Sequence, residues 1–466
     1  MANETIKETA DETVKVIDDK EKREKTKKTS IKEGSFASTM EGFGTRYITP
    51  YAIALGASNF LIGLLASLPQ LLGNLAQLPI PGLMKNTSRK KLLLTSVFLQ
   101  AFLWLPILII GFMYFYYHIS TILAGDLLII IYTLLIIAGS VSSPAWNSWM
   151  RDVVEEPSAE YFGKRNRITN FFLIFGMVVA GIILNIFGYN NFTGFVIIFI
   201  IAFIGRFGSG YLLSRQYEPK FKFVEGYYFG PIDFIKKMPN NNFGRFVLSI
   251  SLLTFATAIA SPFFAVYMLK NLHFTYIQFM VVTLMNPIAA LIFMPFWGRF
   301  ANKFGNIKVL KFTALLIPLT PLMWVVTLIL PKSTNIIFIY LICAELFSGF
   351  YWAGFNLSSV NFVYDAVTKQ RMALCFCYYN IIVAIGTFIG AVLGGILTSY
   401  SMILGISSIL FAFIVSGILR IIFYFTTIPQ IKEVRPVKDI DINQQIQTKV
   451  KGYFGLKAPE LDLIKE

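Results

Sequence analysis

Pro295-Phe296-Trp297-Gly298, followed by Arg299, Asn302, Lys303, Gly305 and Lys308, repeats an earlier stretch of the same chain. The earlier copy is Pro79-Ile80-Pro81-Gly82, followed by Lys85, Asn86, Arg89, Lys90 and Lys91. The first prolines and the glycines are both 216 residues apart (295 − 79 and 298 − 82). In each copy a long apolar run ends in a Pro/Gly signal and a basic loop. Self-similarity at that distance inside a hydrophobic chain marks two homologous membrane halves.

Composition agrees. The 466 residues are 55% hydrophobic and 14% charged, with a mean hydropathy of +0.63. Soluble domains carry roughly 25% charge, and apolar runs of about 20 residues span a bilayer core. An integral membrane protein follows. The net charge of +15 is not a nucleic-acid signal, because no basic stripe interleaves with exposed aromatics. Lys and Arg instead mark cytoplasmic loops. Cys343, Cys375 and Cys377 fall within predicted membrane helices. Their spacing suits neither a metal site nor a disulfide framework, so a packing role is expected and no metal site is assigned. The first 33 residues have no apolar core of a cleavable signal; the first span is expected to direct insertion.

Twelve spans are predicted. Six lie near residues 35–57, 60–82, 92–117, 123–149, 168–188 and 192–214, and six near 245–269, 275–298, 307–330, 335–363, 373–398 and 401–426. The predicted fold is an all-α membrane protein with two pseudo-symmetric six-helix bundles. Residues 1–33 read as a charged cytoplasmic tail, solvated or loosely helical. Residues 34–214 form the N-terminal bundle, 215–244 a cytoplasmic linker with a short helix over 230–237, 245–427 the C-terminal bundle and 428–466 a second cytoplasmic tail. Twenty Lys and Arg lie in the linker and the loops after even-numbered spans, against Lys270 and Lys332 opposite. That bias places both termini in the cytoplasm. Three more features repeat between the halves: Thr49-Pro50 and Ser261-Pro262, Arg206 and Arg420, and Asp152 and Asp365. Repeated features of this kind belong to the fold.

The two basic loops resemble the loop signature of the major facilitator superfamily, roughly Gly-x-x-x-Asp-Arg-x-Gly-Arg-Arg/Lys. Gly298 to Lys308 is the nearer copy; Gly82 to Lys91 is one residue short. Asn86 and Asn302 stand where the pattern has Asp, which removes the carboxylate of the family's charged latch. Pro144-Ala145-Trp146-Asn147-Ser148-Trp149-Met150-Arg151-Asp152, with Tyr161-Phe162-Gly163-Lys164-Arg165-Asn166-Arg167 after it, is similar to a prokaryotic branch of that superfamily with poorly defined substrates. Gly354-Phe355-Asn356-Leu357 with Asp365 is its second-half counterpart. The resemblance covers residues 35–427 and implies two bundles rocking around a central site. It implies a gating role for Gly82, Asn86, Arg89, Gly298, Asn302, Lys303, Gly305 and Lys308. The Gly-Pro pair of the superfamily's antiporters in the fifth span, and the Arg common in the fourth, are absent.

Ionisable residues deep in a span cost about 2.5–3.5 kcal/mol on insertion scales, so each needs a reason. Glu345 lies inside the tenth span, with Gly349, Trp352 and Asn356 following at +4, +7 and +11 on one helical face. The first half has Ile136 at the equivalent place. Glu345 is therefore the leading candidate to bind a proton or a cationic group; the alternative is a protonated Glu bonded to a neighbouring helix. Glu41 and Arg46 are about 140° apart on an ideal helix, and meet only if it unwinds at Gly42 and Gly44. Arg46 is a candidate for an anionic substrate, or for a cross-helix salt bridge such as one to Glu345. Gln70, Asn74 and Gln77 form a polar stripe on the second span that faces a neighbour or the cavity, as helix–helix glue or as substrate ligands. Trp146 and Asn147 are expected nearest the site. Arg206 and Arg420 are read as snorkelling or bonded inside the protein.

No phosphate-binding Gly-x-x-x-x-Gly-Lys loop is present, and nothing points to an enzyme or a cofactor. The expectation is a monomeric secondary transporter in the cell membrane. It would move a small solute by alternating access, coupled to a proton or another ion. An uncoupled facilitator and a membrane sensor or scaffold are the alternatives.

Overall fold

The computed structural model describes residues 2–80, 83–84, 87–154, 159–188, 191–219, 231–331, 333–368 and 371–434. Gly82, Lys85 and Asn86 of the first basic loop, linker residues 220–230 and tail residues 435–466 lie outside the described residues.

The described residues are almost wholly helical, because backbone polar groups in lipid must be satisfied within the segment. The first half comprises α1 (Ala2–Phe43), α2 (Ile48–Ala54), α3 (Asn59–Leu75), α4 (Arg89–Phe102), α5 (Trp104–Tyr117), α6 (Thr121–Val153), α7 (Ala159–Phe187) and α8 (Phe192–Ser214). The short α9 (Pro231–Lys237) lies where the linker helix is expected. The second half comprises α10 (Asn242–Ala258), α11 (Phe263–Val266), α12 (Tyr276–Phe304), α13 (Asn306–Leu316), α14 (Leu319–Val325), α15 (Thr334–Ala366), α16 (Met372–Leu397) and α17 (Ser408–Thr427). A two-strand hairpin, β1 (Met402–Ile403) with β2 (Ile406–Ser407), precedes α17. Among the described residues ten helices are long and apolar enough to cross a membrane, with α3 a shorter apolar helix beside them.

Helix starts were written locally. Ser58, Ser88 and Ser120 accept from the backbone N–H of Leu61, Lys91 and Leu123, satisfying donors that a first turn leaves open. Thr275 and Gln278 close a capping box at the head of α12.

The N-terminal segment differs from the solvated tail expected for residues 1–33. It is one helix with the start of the first span, and Thr26, Ser30 and Glu33 are buried. Thr26 Oγ1 accepts from Tyr217 N at 3.0 Å, and Arg23 Nη1 donates to the Asp152 carbonyl at 2.8 Å. Tyr161 Oη donates to the Lys27 carbonyl at 3.2 Å. The cause is long-range: the polar positions 23, 26, 30 and 33 recur at helical spacing, and the ends of α6, α7 and α8 supply their partners.

The largest buried core joins the halves on the side away from the basic loops, and a smaller cluster of Met177 with Met280 and Leu284 joins them where α7 meets α12. The largest core runs from Tyr47, Tyr51, Trp104 and Phe199 to Phe263, Tyr276, Trp324 and Phe413. On the basic-loop side the halves have separate cores, one around Trp149 and Leu213 and one around Phe246, Tyr351 and Phe362. Contacts between the halves follow the same division. Asn59 Nδ2 donates to the Thr398 carbonyl at 2.8 Å, and Lys270 Nζ to the Ala57 carbonyl at 3.1 Å. A Cβ on Gly63 would stand 2.6 Å from the Ala391 carbonyl, so α3 and α16 touch backbone to backbone there. Gly386 and Gly390 of α16 lie against α10, and Gly394 against Ile259 and Phe263 just beyond it, the close approach that small residues allow.

Candidate functional site

The first membrane helix breaks where Gly42 and Gly44 stand. Helix α1 stops at Phe43, Thr45–Tyr47 form a tight 3-10 turn, and α2 resumes at Ile48. A side chain at Gly44 would run into the Trp104 ring. The break turns Arg46 back toward the preceding helix, and its Nη2 meets Glu41 Oε1 at 2.7 Å. Arg46 thus pairs with Glu41, five residues away, and not with Glu345.

This pair lines an open cavity of about 660 Å³ walled by first-half helices, a volume in the range of small-molecule sites. Glu33, Ala37, Glu41 and Thr45 line it at four-residue intervals, one face of a helix. Glu33 Oε2 meets Arg165 Nη2 at 3.2 Å, and Glu33 Oε1 accepts from Ser209 Oγ at 2.8 Å. Arg206 Nη1 donates to that same hydroxyl at 3.4 Å. The Arg165 guanidinium lies over the Trp146 ring at 4.3 Å, a favourable cation–π distance. Gln70, Asn147 and Ile136 complete the wall where α3 and α6 face α1.

Five of the expected substrate residues therefore come together: Glu41, Arg46, Gln70, Trp146 and Asn147. Asn74, one turn beyond Gln70, is not among the lining residues. Glu345, Trp352 and Asn356 lie in the other half, outside this cavity. Glu345 is half-buried and accepts from Trp324 Nε1 at 3.0 Å, with Asn286 of α12 also in hydrogen-bonding reach. Trp352 is half-buried against Phe355, ring centroids 5.4 Å apart, and Asn356 is exposed.

The basic loops end in two latches. Arg89 is fully buried and binds Asp152 Oδ2 through Nη1 at 2.6 Å. It also meets Glu218 Oε1 at 3.4 Å and the Ser148 and Pro219 carbonyls, both at 3.0 Å. In the second half Asn306 Nδ2 donates to Asp365 Oδ2 at 2.6 Å, and Ile307 N to Glu433 Oε2 at 2.9 Å. The repeated aspartates hold both loops, and a glutamate after the last span of each half reaches back to the same place. Asn302 and Lys303 are exposed, Lys308 is half-buried, and Gly305 closes α12 with a φ of 99°. Gly298 packs near Leu357.

The sequence profile of the Major Facilitator Superfamily matches residues 34–237 and 246–460. The chain belongs to the major facilitator superfamily. Solved structures with the same fold include a bacterial homologue of the iron transporter ferroportin in an inward-facing state, at 13% identity over 87% of this chain and 99% of that one, TM-score 0.67. The nucleoside transporter NupG matches at 13% identity over 87% of this chain and 100% of that one, TM-score 0.64. The xylose transporter XylE from E. coli matches at 12% identity over 89% and 100%, TM-score 0.61. At such identities the likeness is one of fold alone. A search of curated proteins returns no match.

Within this superfamily member, Glu33, Gln100, Arg165 and Thr169 line the cavity without having been singled out by sequence. In the sequence Glu33 falls in the charged N-terminal segment and Arg165 in a basic loop. The eight-residue spacing of Glu33 and Glu41, two steps of four along one helical face, is the signal available in the sequence. Asn306 lies within the Gly298-to-Lys308 stretch, but its role as latch shows only in the contact with Asp365.

Proposed function

We propose that this superfamily member is a secondary active transporter, moving a small solute across the cell membrane by alternating access. Its twelve spans, with α1–α2 and α3 as the first two, form two six-helix bundles. Both termini face the cytoplasm, as the Lys and Arg bias requires. The observation that carries the reading is the division of the core. The halves share their largest core on the side away from the basic loops, with a smaller shared cluster between α7 and α12, and have separate cores on the basic-loop side. Two bodies hinged at one end, with a polar cavity beside the hinge, can rock to expose the cavity alternately.

Arg46 and Glu41 contact the solute or exchange partners as it binds, with Gln70, Trp146 and Asn147 shaping the wall. Glu345 takes the coupling role. A carboxylate held by an indole N–H, inside a half that must move, changes its partners when α14 and α15 shift, and so can gain or lose a proton. Transport is thereby tied to a proton gradient; the protein works as a monomer.

The test is flux into proteoliposomes under an imposed proton gradient, with Glu345→Gln in parallel. Gradient-dependent uptake that Glu345→Gln uncouples is the expected result. Uptake indifferent to the gradient would make the protein a facilitator. Normal transport by Glu345→Gln at every pH would remove the carboxylate from coupling.

A further inference from the structure

Three arginines and two glutamates line the first-half cavity: Arg46, Arg165 and Arg206 against Glu33 and Glu41. Arg46 is answered by Glu41 and Arg165 by Glu33. Arg206 has no carboxylate in ion-pair contact among the described residues. Among the described residues its hydrogen bond goes to Ser209 Oγ, which itself donates to Glu33. Its Nε is buried without a partner, in a side chain only 8% exposed.

The symmetry mate shows that this is not a requirement of the fold. Arg420 also leaves Nε unpartnered, but its terminal nitrogens donate to the Ile317 and Thr257 carbonyls at 3.1 and 3.4 Å. It ties neighbouring helices together. Arg206 makes no such carbonyl bond among the described residues and faces a cavity instead. A guanidinium buried with one weak bond is costly, and a planar fork of N–H donors matches a carboxylate or phosphate. Trp146 Nε1 and Gln100 Oε1 also line the cavity, buried and unpartnered. They offer a donor and an acceptor to a polar ligand body.

We infer that the cavity binds a small organic anion, a carboxylate or a phosphate monoester, whose acid group docks on Arg206 and Arg165 in competition with Glu33. The inference rests on the transporter reading of the same cavity and names its substrate class. Glu33 acts as the resident anion: its carboxylate bridges Arg165 and Ser209 until a ligand's acid group shares them. The two substitutions therefore have opposite signs. Removing Arg206 weakens the anion, and neutralising Glu33 strengthens it.

The experiment is ligand titration of the purified full-length protein in detergent, followed by thermal shift and Trp fluorescence. The probes are mono-, di- and tricarboxylates, inorganic phosphate and phosphate monoesters, with choline and mannitol as cationic and neutral probes. At least one anion is expected to bind, about tenfold or more weaker to Arg206→Gln and more tightly to Glu33→Gln. The carboxylate and phosphate arms separate the two ligand types. The inference is overturned if no anion binds, if choline or mannitol binds in its place, or if Glu33→Gln leaves anion affinity unchanged or lower. That last arm stands even where Arg206→Gln does not fold. Proteoliposome uptake is read separately. An anion that binds but is not carried overturns the transporter reading and supports this inference. Carriage of cations or neutral solutes alone does the reverse.

Discussion

Arg46 and Glu41 meet at 2.7 Å across the break in the first membrane helix, although an unbroken helix would hold them apart. The contact exists because Gly44 lets the chain tighten against Trp104. Gly44→Val should therefore lose the pair and strain the packing, lowering stability by about 1–3 kcal/mol. A thermal melt checks the stability. Arg46→Gln should reduce uptake with a smaller effect on the melt, since both side chains are about half exposed and such pairs contribute little to stability. Equal uptake by wild type and Arg46→Gln would take the pair out of the transport path.

Arg89 should be the most sensitive position of the first basic loop. It is fully buried and holds Asp152, Glu218 and two carbonyls. Arg89→Ala leaves those acceptors without their donor, and because Asp152 stays partly hydrated the loss should be about 1.5–3 kcal/mol, as for hydrogen bonds to charged groups. Lys303→Ala, at an exposed site, should change the melt by less than about 0.5 kcal/mol. Unfolding in urea, comparing the two variants, measures the contrast.

Gly63 provides a wedge. Its α-carbon faces the Ala391 carbonyl where α3 meets α16 on the shared-core side. Gly63→Leu should penalise that closed arrangement by about 1–3 kcal/mol, shifting the two-state population by roughly fivefold to a hundredfold. Distances between spin labels on the two halves would show the shift. An unchanged distribution would mean that this contact does not hold the halves together.

The N-terminal helix should loosen in acid. The Tyr217 hydroxyl, and then Arg23, hold the Asp19 carboxyl below its ordinary pKa. A depressed carboxylate stabilises the docked helix above its unfolded pKa, and the effect is lost as pH falls through the folded value. Docking should be unchanged from pH 8 to about 5 and weaken below about 4. Mobility of a spin label on the exposed Lys20 should rise in that acid range and be pH-independent in Asp19→Asn.

The sequence by itself determined the membrane class, the superfamily loop repeat and most helix positions, and it marked Gly42 and Gly44 as the place where the first span can unwind. Each of these depends on local signals: apolar run length, serine caps, basic loops and glycine. It also marked Glu41, Arg46, Gln70, Trp146 and Asn147, because polar groups inside apolar runs are conspicuous. Tertiary structure alone decided which polar groups meet. Glu33 finds Arg165 and Ser209 from 132 and 176 residues away, and Arg89 finds Asp152 across 63. Helical periodicity predicts the face on which a side chain stands, but not the helix that packs against that face. For the same reason Arg206 and Arg420, alike in sequence position, differ in role: one is bonded to carbonyls of packed helices, and the other borders a cavity.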